Sequence, residues 1–218
     1  MEDSARTVSD VMTNTVVGVG RKAAFKEIVE LMQQWKVSAL PVLEGEGRVV
    51  GVVSEADLLP KEEFRDSDPD RYTQLRRLRD MAKAGALTAD ELMSAPAVTV
   101  HADATLAQAA RAMAHRRVKR LPVVDAQGML EGVVSRSDLL KVFLRPDDEI
   151  AEEIRREVVS VLFPKPVSSI QVTVSDGVVI LTGRIRDTQL VPTAARLTRA
   201  VEGVVDVDVQ LSGAHGPA

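Results

Sequence analysis

Two serine–aspartate pairs carry the residues best suited to chemistry. Ser54 and Asp57 lie in "GVVSEADLL", Gly51 to Leu59, and Ser135 and Asp138 lie in "GVVSRSDLL", Gly132 to Leu140. Each block sits where an apolar, strand-like run gives way to a helical one. A carboxylate at that junction can accept hydrogen bonds from both hydroxyls of a ribose, as an acidic residue does in dinucleotide sites. The start of a helix also offers backbone N–H groups and partial positive charge suited to phosphate. The same S-x-x-D spacing is a capping box, in which the pair only satisfies the helix start. A serine can cap and still face a ligand, so the two readings overlap.

The second copy is the more obvious source of phosphate-binding cations. Arg116, Arg117, Lys119 and Arg120 precede the strand-like "LPV" at Leu121, whereas the first "LPV", at Leu40, is preceded by Ser38 and Ala39. The basic group can hold phosphate, or it can counter the partial negative charge at a helix C-terminus.

The elements that must position these residues come as a repeat. A shift of 81 residues, the distance from Asp57 to Asp138, aligns Met12 with Met93, Ala23 with Ala104, Met32 with Met113, Val37 with Val118 and Gly47 with Gly128, without a gap. Each copy reads as β-α-β-β-α. In the first, a helical turn near Ser9 to Met12 leads to a strand at Thr15 to Val19. A helix follows from about Ala23 to Trp35, with Phe25, Ile28, Val29 and Met32 on one face, then strands at Ala39 to Leu43 and Arg48 to Val53. The second repeats this with Val98 to Val100, Leu106 to Arg116, Arg120 to Val124, Leu130 to Val134 and Arg136 to Phe143. One such unit buries little alone, so two copies packed sheet to sheet are expected, with clefts between them.

Pro60 to Leu87 separates the copies and contains its own helical stretch, in which Tyr72, Leu75, Leu78 and Met81 form an apolar stripe among basic residues. It reads as a helix lying on the repeats, or as a surface for anionic lipid or phosphate. After Leu144 the pattern changes to α-β-β-α-β. Pro146 and a run of acids, Asp147, Asp148, Glu149, Glu152 and Glu153, open a helix, where they suit the dipole. Its stripe is Ile150, Ile154, Val158 and Val161. Ile170, Val172 and Val174 then alternate up to an Asp176-Gly177 turn, with Val178, Ile180 and Thr182 beyond it, a hairpin signature. A helix from about Thr188 to Ala200 and a strand from Val204 to Leu211 complete the unit.

Composition narrows the function. The 218 residues are 45% hydrophobic and 28% charged, with net charge −4 and no cysteine. A net acidic chain is a poor general nucleic-acid binder. Absent cysteine excludes disulfides, thiolate catalysis and cysteine zinc sites, and fits a reducing compartment. His101, His115 and His215 are scattered, which argues against a metal site. "GVGRKA" at Gly18 to Ala23 matches G-x-G-x-x-A, but its aligned partner "TVHADA" lacks both glycines and the expected downstream acid is missing. Trp35 and the methionines sit at core spacing and read as packing. No apolar run approaches the roughly 20 residues that span a bilayer, and the acidic, polar N-terminus is unlike a secretory signal. A cytoplasmic protein is expected.

The two copies resemble CBS domains, through the "VM" or "LM" turn, the "LPV" strand and the closing G-h-h-S-x-x-D, where h is apolar. The tandem covers about residues 7 to 144. The tail, about 148 to 211, resembles the BON domain of bacterial proteins through "VSDGVVILTGRI" and "VEGVVDVDVQL". The resemblance implies an α+β (mixed α/β) chain with CBS repeats at 7–60 and 88–144 forming a pseudo-symmetric pair (a Bateman module), a helical insert at 61–87, a BON domain at 148–211 and a tail at 212–218. It also implies an adenosine-containing ligand, AMP, ADP, ATP or S-adenosylmethionine. Asp57 and Asp138 would hold ribose, Ser54 and Ser135 would lie nearby, Val17 and Thr99 would meet adenine through the backbone, and Lys119 or Arg120 would meet phosphate. A non-enzymatic regulator follows, homodimeric through the repeats, with BON as output or tether to an unknown regulated protein. The alternative is an interaction protein whose repeats are a dimerisation scaffold and whose BON domain binds phospholipid or envelope material. No metal or obligatory cofactor is expected.

Overall fold

The structure is a computed structural model that describes residues 6–65, 77–163 and 170–213. The chain divides into two compact units, Met1–Leu139 and Leu140–Ala218. Mixed helices and strands build both.

In the first repeat, α1 (Val8–Val11) leads to a two-residue strand β1 (Val19–Gly20), helix α2 (Phe25–Trp35), strands β2 (Ala39–Glu44) and β3 (Arg48–Ser54), and the short helix α3 (Glu55–Leu58). The insert supplies α4 (Pro60–Glu63) and α5 (Leu78–Gly85). The second repeat is α6 (Ala89–Leu92), α7 (Leu106–Arg116), β4 (Arg120–Val124), β5 (Leu130–Ser135) and α8 (Arg136–Leu140). β2 and β3 pair antiparallel, as do β4 and β5, while β1 lies parallel to β2. Helices α2 and α7 both end on a left-handed residue, Lys36 at φ 52° and Arg117 at φ 55°, which turns the chain sharply into the following strand.

The two repeats exchange their leading segments. Thr13 pairs with Val133 of the second copy through N–H···O bonds of 2.9 and 3.0 Å, and its counterpart Ser94 pairs with Val52 of the first through bonds of 2.9 and 3.1 Å. Val49 N–H to the Gly128 carbonyl and Leu130 N–H to the Gly47 carbonyl, both 3.0 Å, repeat the symmetry at the turns. Ala86 at the end of the insert, and Ala89 and Leu92, which open the second copy, are buried in the core of the first with Ile28, Met32, Leu40, Val42 and Val53. Neither copy therefore completes a core alone, which is the physical reason for two.

Several sequence expectations shift. The strand expected at Thr15 to Val19 pairs only at Val19 and Gly20, and the one expected at Val98 to Val100 reduces to a single bridge between Val100 and Val123. Residues ahead of these points are drawn toward the other copy, away from their own sheet. Val29 is exposed, leaving Ile28 and Met32 as the buried face of α2. Trp35, expected in the packing, is 45% exposed. In the insert, Leu78 is exposed, while Tyr72 and Leu75 lie outside the described residues. The closing helix of the second copy ends at Leu140, and Lys141–Leu144 continues as a 3-10 turn.

The second unit opens with α9 (Asp147–Ile154), a π turn (Arg155–Val159) and α10 (Ser160–Leu162). The stripe expected at Ile150, Ile154, Val158 and Val161 breaks at its end, with Val159 buried and Val161 67% exposed. A π turn inserts one extra residue, which rotates the apolar face so that Val159, Leu162 and Phe163 meet the core. The sheet follows as β6 (Ile170–Ser175), β7 (Val178–Ile185) and, after a 3-10 turn and α11 (Val191–Ala200), β8 (Asp206–Gly213), in the order β6-β7-β8. Asp176 and Gly177 both take positive φ, 51° and 73°, as a two-residue hairpin requires. That turn sets Val174 opposite Val179 and Val172 opposite Leu181, so the inward face of β7 is Val179 and Leu181, and Val178 points to solvent.

Candidate ligand clefts

The two S-x-x-D turns fold alike. At the end of β3, the Ser54 N–H and hydroxyl both donate to Asp57 Oδ2 at 2.7 Å. At the end of β5, the Ser135 N–H and hydroxyl donate to Asp138 Oδ2 at 2.9 and 2.5 Å, and the Asp138 N–H returns to Ser135 Oγ at 3.3 Å. The next amides are also engaged, Glu55 N–H by the Ser38 carbonyl at 3.0 Å and Arg136 N–H by the Lys119 carbonyl at 3.1 Å. Free amides were expected at these helix starts. The first amide of each helix is taken by the chain itself, and α3 and α8 span only four and five residues. The carboxylate of each turn lines a cleft.

Because the leading segments are exchanged, each cleft takes its Asp from one copy and its lead-in from the other. The smaller cleft, about 250 Å³, is lined by Ser135, Asp138, Val133 and Arg120 of the second copy and by Thr13, Thr15, Val16, Val17, Trp35, Val37 and Ala39 of the first. The larger, about 570 Å³, is lined by Ser54, Asp57 and their neighbours of the first copy and by Ser94, Val98 and the run Arg116 to Arg120 of the second. Of the residues expected at a site, Val17, Ser135, Asp138 and Arg120 meet in the first cleft. Ser54, Asp57, Lys119 and Arg120 meet in the second. Thr99 does not line the cleft. It is exposed, and Val98, which matches Val17 in the repeat, takes the position.

Two cleft residues were not legible as such. Trp35 closes α2 and lines the Asp138 cleft, where its counterpart in the other cleft is Arg116. The signal was present in the repeat alignment, which sets an aromatic ring against a guanidinium. Lys83, on α5 of the insert, pairs directly with Asp57 Oδ1 and lies 3.4 Å from Ser94 Oγ. Asp57 is 8% exposed as a result of this cover. Nothing in a repeat comparison singles out Lys83, because the insert occurs once.

The acids that open the second unit act structurally where their partners are visible. Asp147 accepts the Asp176 and Gly177 N–H groups at 2.8 and 2.9 Å, tying the helix start to the hairpin turn. Arg145 joins Glu153 Oε2 at 2.7 Å and the Glu202 carbonyl at 2.8 Å. Among the described residues no group of three or more His, Asp and Glu side chains converges as a metal site would, and no helix is long and apolar enough to cross a membrane. His101 Nδ1 lies 2.9 Å from the Val124 carbonyl, a local contact that fixes its ring.

Comparison with known proteins agrees with this architecture. The CBS-domain family model matches residues 8–61 and 89–145, and the BON-domain model matches residues 146–214. The uncharacterized protein MJ1426 of Methanocaldococcus jannaschii is 27% identical over 153 residues, 63% of this chain and 90% of that protein. The chloroplastic CBS domain-containing protein CBSX2 of Arabidopsis thaliana is 29% identical over 154 residues, and the match spans 64% of each chain. A crystal structure of CBSX2 in complex with AMP aligns with a TM-score of 0.56 and 30% identity, covering 63% of this chain and 96% of that one. The CBS pair of MJ0100, crystallised with methylthioadenosine and S-adenosyl-L-methionine, shares the fold at a TM-score of 0.50 and 18% identity, covering 64% and 97%. With both repeats matched and the exchanged pair in place, the chain belongs to the CBS-domain family and carries a BON domain after its CBS pair.

Proposed function

We propose that the CBS pair binds an adenosine-containing ligand, AMP, ADP, ATP or S-adenosylmethionine, and that the protein is a non-enzymatic sensor in which residues 148–211 serve as output or tether. One observation carries this reading. Asp138, steadied by Ser135, shares a cleft with an apolar and aromatic wall, Val16, Val17, Val37 and Trp35, and with the cation Arg120. A carboxylate for the ribose hydroxyls, a flat apolar wall for the base and a guanidinium for phosphate are the three contacts a nucleotide needs. The AMP complex of CBSX2, a relative at 30% identity, supports the same ligand class.

For sensing, the ligand must favour one arrangement of the pair over another, since equal affinity shifts nothing. The test is thermal unfolding of the full chain with each of the four ligands, repeated on Asp138→Ala. A ligand at 100 times its Kd adds about 2.7 kcal/mol of stability. A shift that disappears in Asp138→Ala supports the ribose role. No shift at millimolar ligand leaves S-x-x-D a pair of helix caps, and favours a scaffold in which the repeats dimerise and BON contacts lipid.

A further inference from the structure

Arg116, Arg117, Lys119 and Arg120 line the larger cleft, and none of the four forms an ion pair or side-chain hydrogen bond with a described residue. Elsewhere Arg21, Arg65, Arg77, Arg145 and Arg155 each pair with a carboxylate. Arg116 closes α7, where the partial negative charge of the helix end accounts for one cation. It does not account for the run.

Two acids share the cleft, and one of them is compensated. Asp57 Oδ1 receives the Lys83 ammonium, while Glu55 is exposed in the first turn of α3. The cleft thus carries a positive excess on a chain whose net charge is −4. Its walls focus that field onto whatever enters. At about 570 Å³, the space is that of a whole small-molecule site and far exceeds a single anion. One phosphate engages one or two such groups, whereas a chain of three spreads its charge along the run.

We infer that this cleft takes a chain of phosphates and selects it by charge: ATP binds there in preference to AMP, and inorganic tripolyphosphate competes for the same cations. The inference deepens the proposed function and rests on this cleft being a ligand site. S-adenosylmethionine, with a sulfonium and no phosphate, gains nothing from the run.

Equilibrium binding of ATP, AMP, tripolyphosphate and S-adenosylmethionine to the full chain, in EDTA to keep ATP free of divalent cations, tests it. ATP should bind roughly tenfold tighter than AMP, as several modest ion pairs acting together allow. Tripolyphosphate should displace ATP, S-adenosylmethionine should not displace tripolyphosphate, and added salt should erode the ATP advantage. Arg116→Gln combined with Lys119→Gln should remove both the advantage and the tripolyphosphate binding. Arg116→Lys combined with Arg117→Lys keeps the charge and should keep both; the equivalent of Arg117 in the first copy is already a lysine, Lys36, in the same left-handed conformation. Arg120 lines both clefts and is left in place. ATP tighter than tripolyphosphate makes the nucleotide the source of the phosphate chain, and equal affinity shows that the chain alone suffices. Equal affinity for ATP and AMP, tripolyphosphate that leaves ATP bound, or an advantage that survives in the folded glutamine variant overturns the inference and leaves the adenosine reading standing. Tripolyphosphate binding with no nucleotide binding overturns the adenosine reading and leaves the phosphate site, and no binding of any of the four overturns both.

Discussion

Trp35 and Arg116 occupy the same position of the two repeats, 81 residues apart, and each lines a different cleft. Both close the helix that precedes a left-handed residue, so the backbone delivers them alike and only the side chains differ. One cleft therefore gains a flat ring beside Val17 and Val37, and the other gains a guanidinium beside Arg117 and Lys119.

Trp35 is the sole tryptophan of the chain, so its fluorescence reports on one cleft. Adenine stacking on it should shift or quench the emission on titration with AMP. Base–aromatic stacking is worth about 1–3 kcal/mol on alanine substitution, so Trp35→Ala should weaken AMP roughly 5- to 150-fold, and Trp35→Phe much less. Unchanged emission under saturating ligand would place the base elsewhere.

The glycine of each GVVS block answers to the other repeat. A Cβ on Gly51 would overlap the Met93 thioether, and one on Gly132 would come within 2.9 Å of Met12 Sδ and 3.0 Å of the Thr13 carbonyl. A flexible methionine can move, but Thr13 is locked in its ladder with Val133. Both Gly→Ala changes should destabilise by about 1–3 kcal/mol, the usual range for overpacking. Met93→Ala should recover most of the Gly51→Ala loss, while Met12→Ala should recover little of the Gly132→Ala loss. Urea denaturation of the four singles and two doubles measures this, and equal rescue in both pairs would contradict it.

These glycines show how much was legible. The 81-residue repeat, the order of elements and the Ser–Asp pairs are written in local pattern, where periodicity and turn residues act over a few positions. The exchange of leading segments is not. Val17 with Asp138 and Val98 with Asp57 are pairings between copies, and self-similar copies carry no local mark of which partner each segment chooses. Lys83 escaped for a related reason: its partner is 26 residues away, and a basic helix face is ordinarily solvated. The rotated end of the helix at Val159 and Val161 was hidden because a π turn has no clear sequence signature.

The anchor of the insert should respond to pH. The Arg77 guanidinium, which donates to Glu63 Oε2 at 2.9 Å, holds the Glu63 carboxyl below its ordinary value of 4.5. A depressed folded-state value means the stabilisation is complete above the unfolded value and is lost as pH falls through the folded one. Arg77 stays charged throughout. The wild type should therefore protect α5 amides better than Glu63→Gln near neutral pH, and the difference should vanish in acid. Amide exchange measured across that range checks the sign, and a gap that widens on acidification would reverse it.

Asp147 separates two roles that an acid at a helix start can play. If it only complements the dipole, it should match its neighbour Asp148, whose carboxylate reaches just the Glu149 amide at 3.0 Å. Asp147 instead bridges to the amides of Asp176 and Gly177, the two positive-φ residues of the hairpin turn. A dipole contribution is about 0.3–1 kcal/mol, while hydrogen bonds to a charged group run about 1.5–3 kcal/mol each when buried and less at a partly exposed site. Asp147→Ala should thus cost about 1–2 kcal/mol more than Asp148→Ala in unfolding of the second unit. It should also speed amide exchange at Asp176 and Gly177, which Asp148→Ala leaves unchanged. Asp147→Asn, with one oxygen acceptor in place of two, should fall between them. Equal losses for the two alanine variants, with the turn amides still protected, would reduce Asp147 to helix-start electrostatics alone.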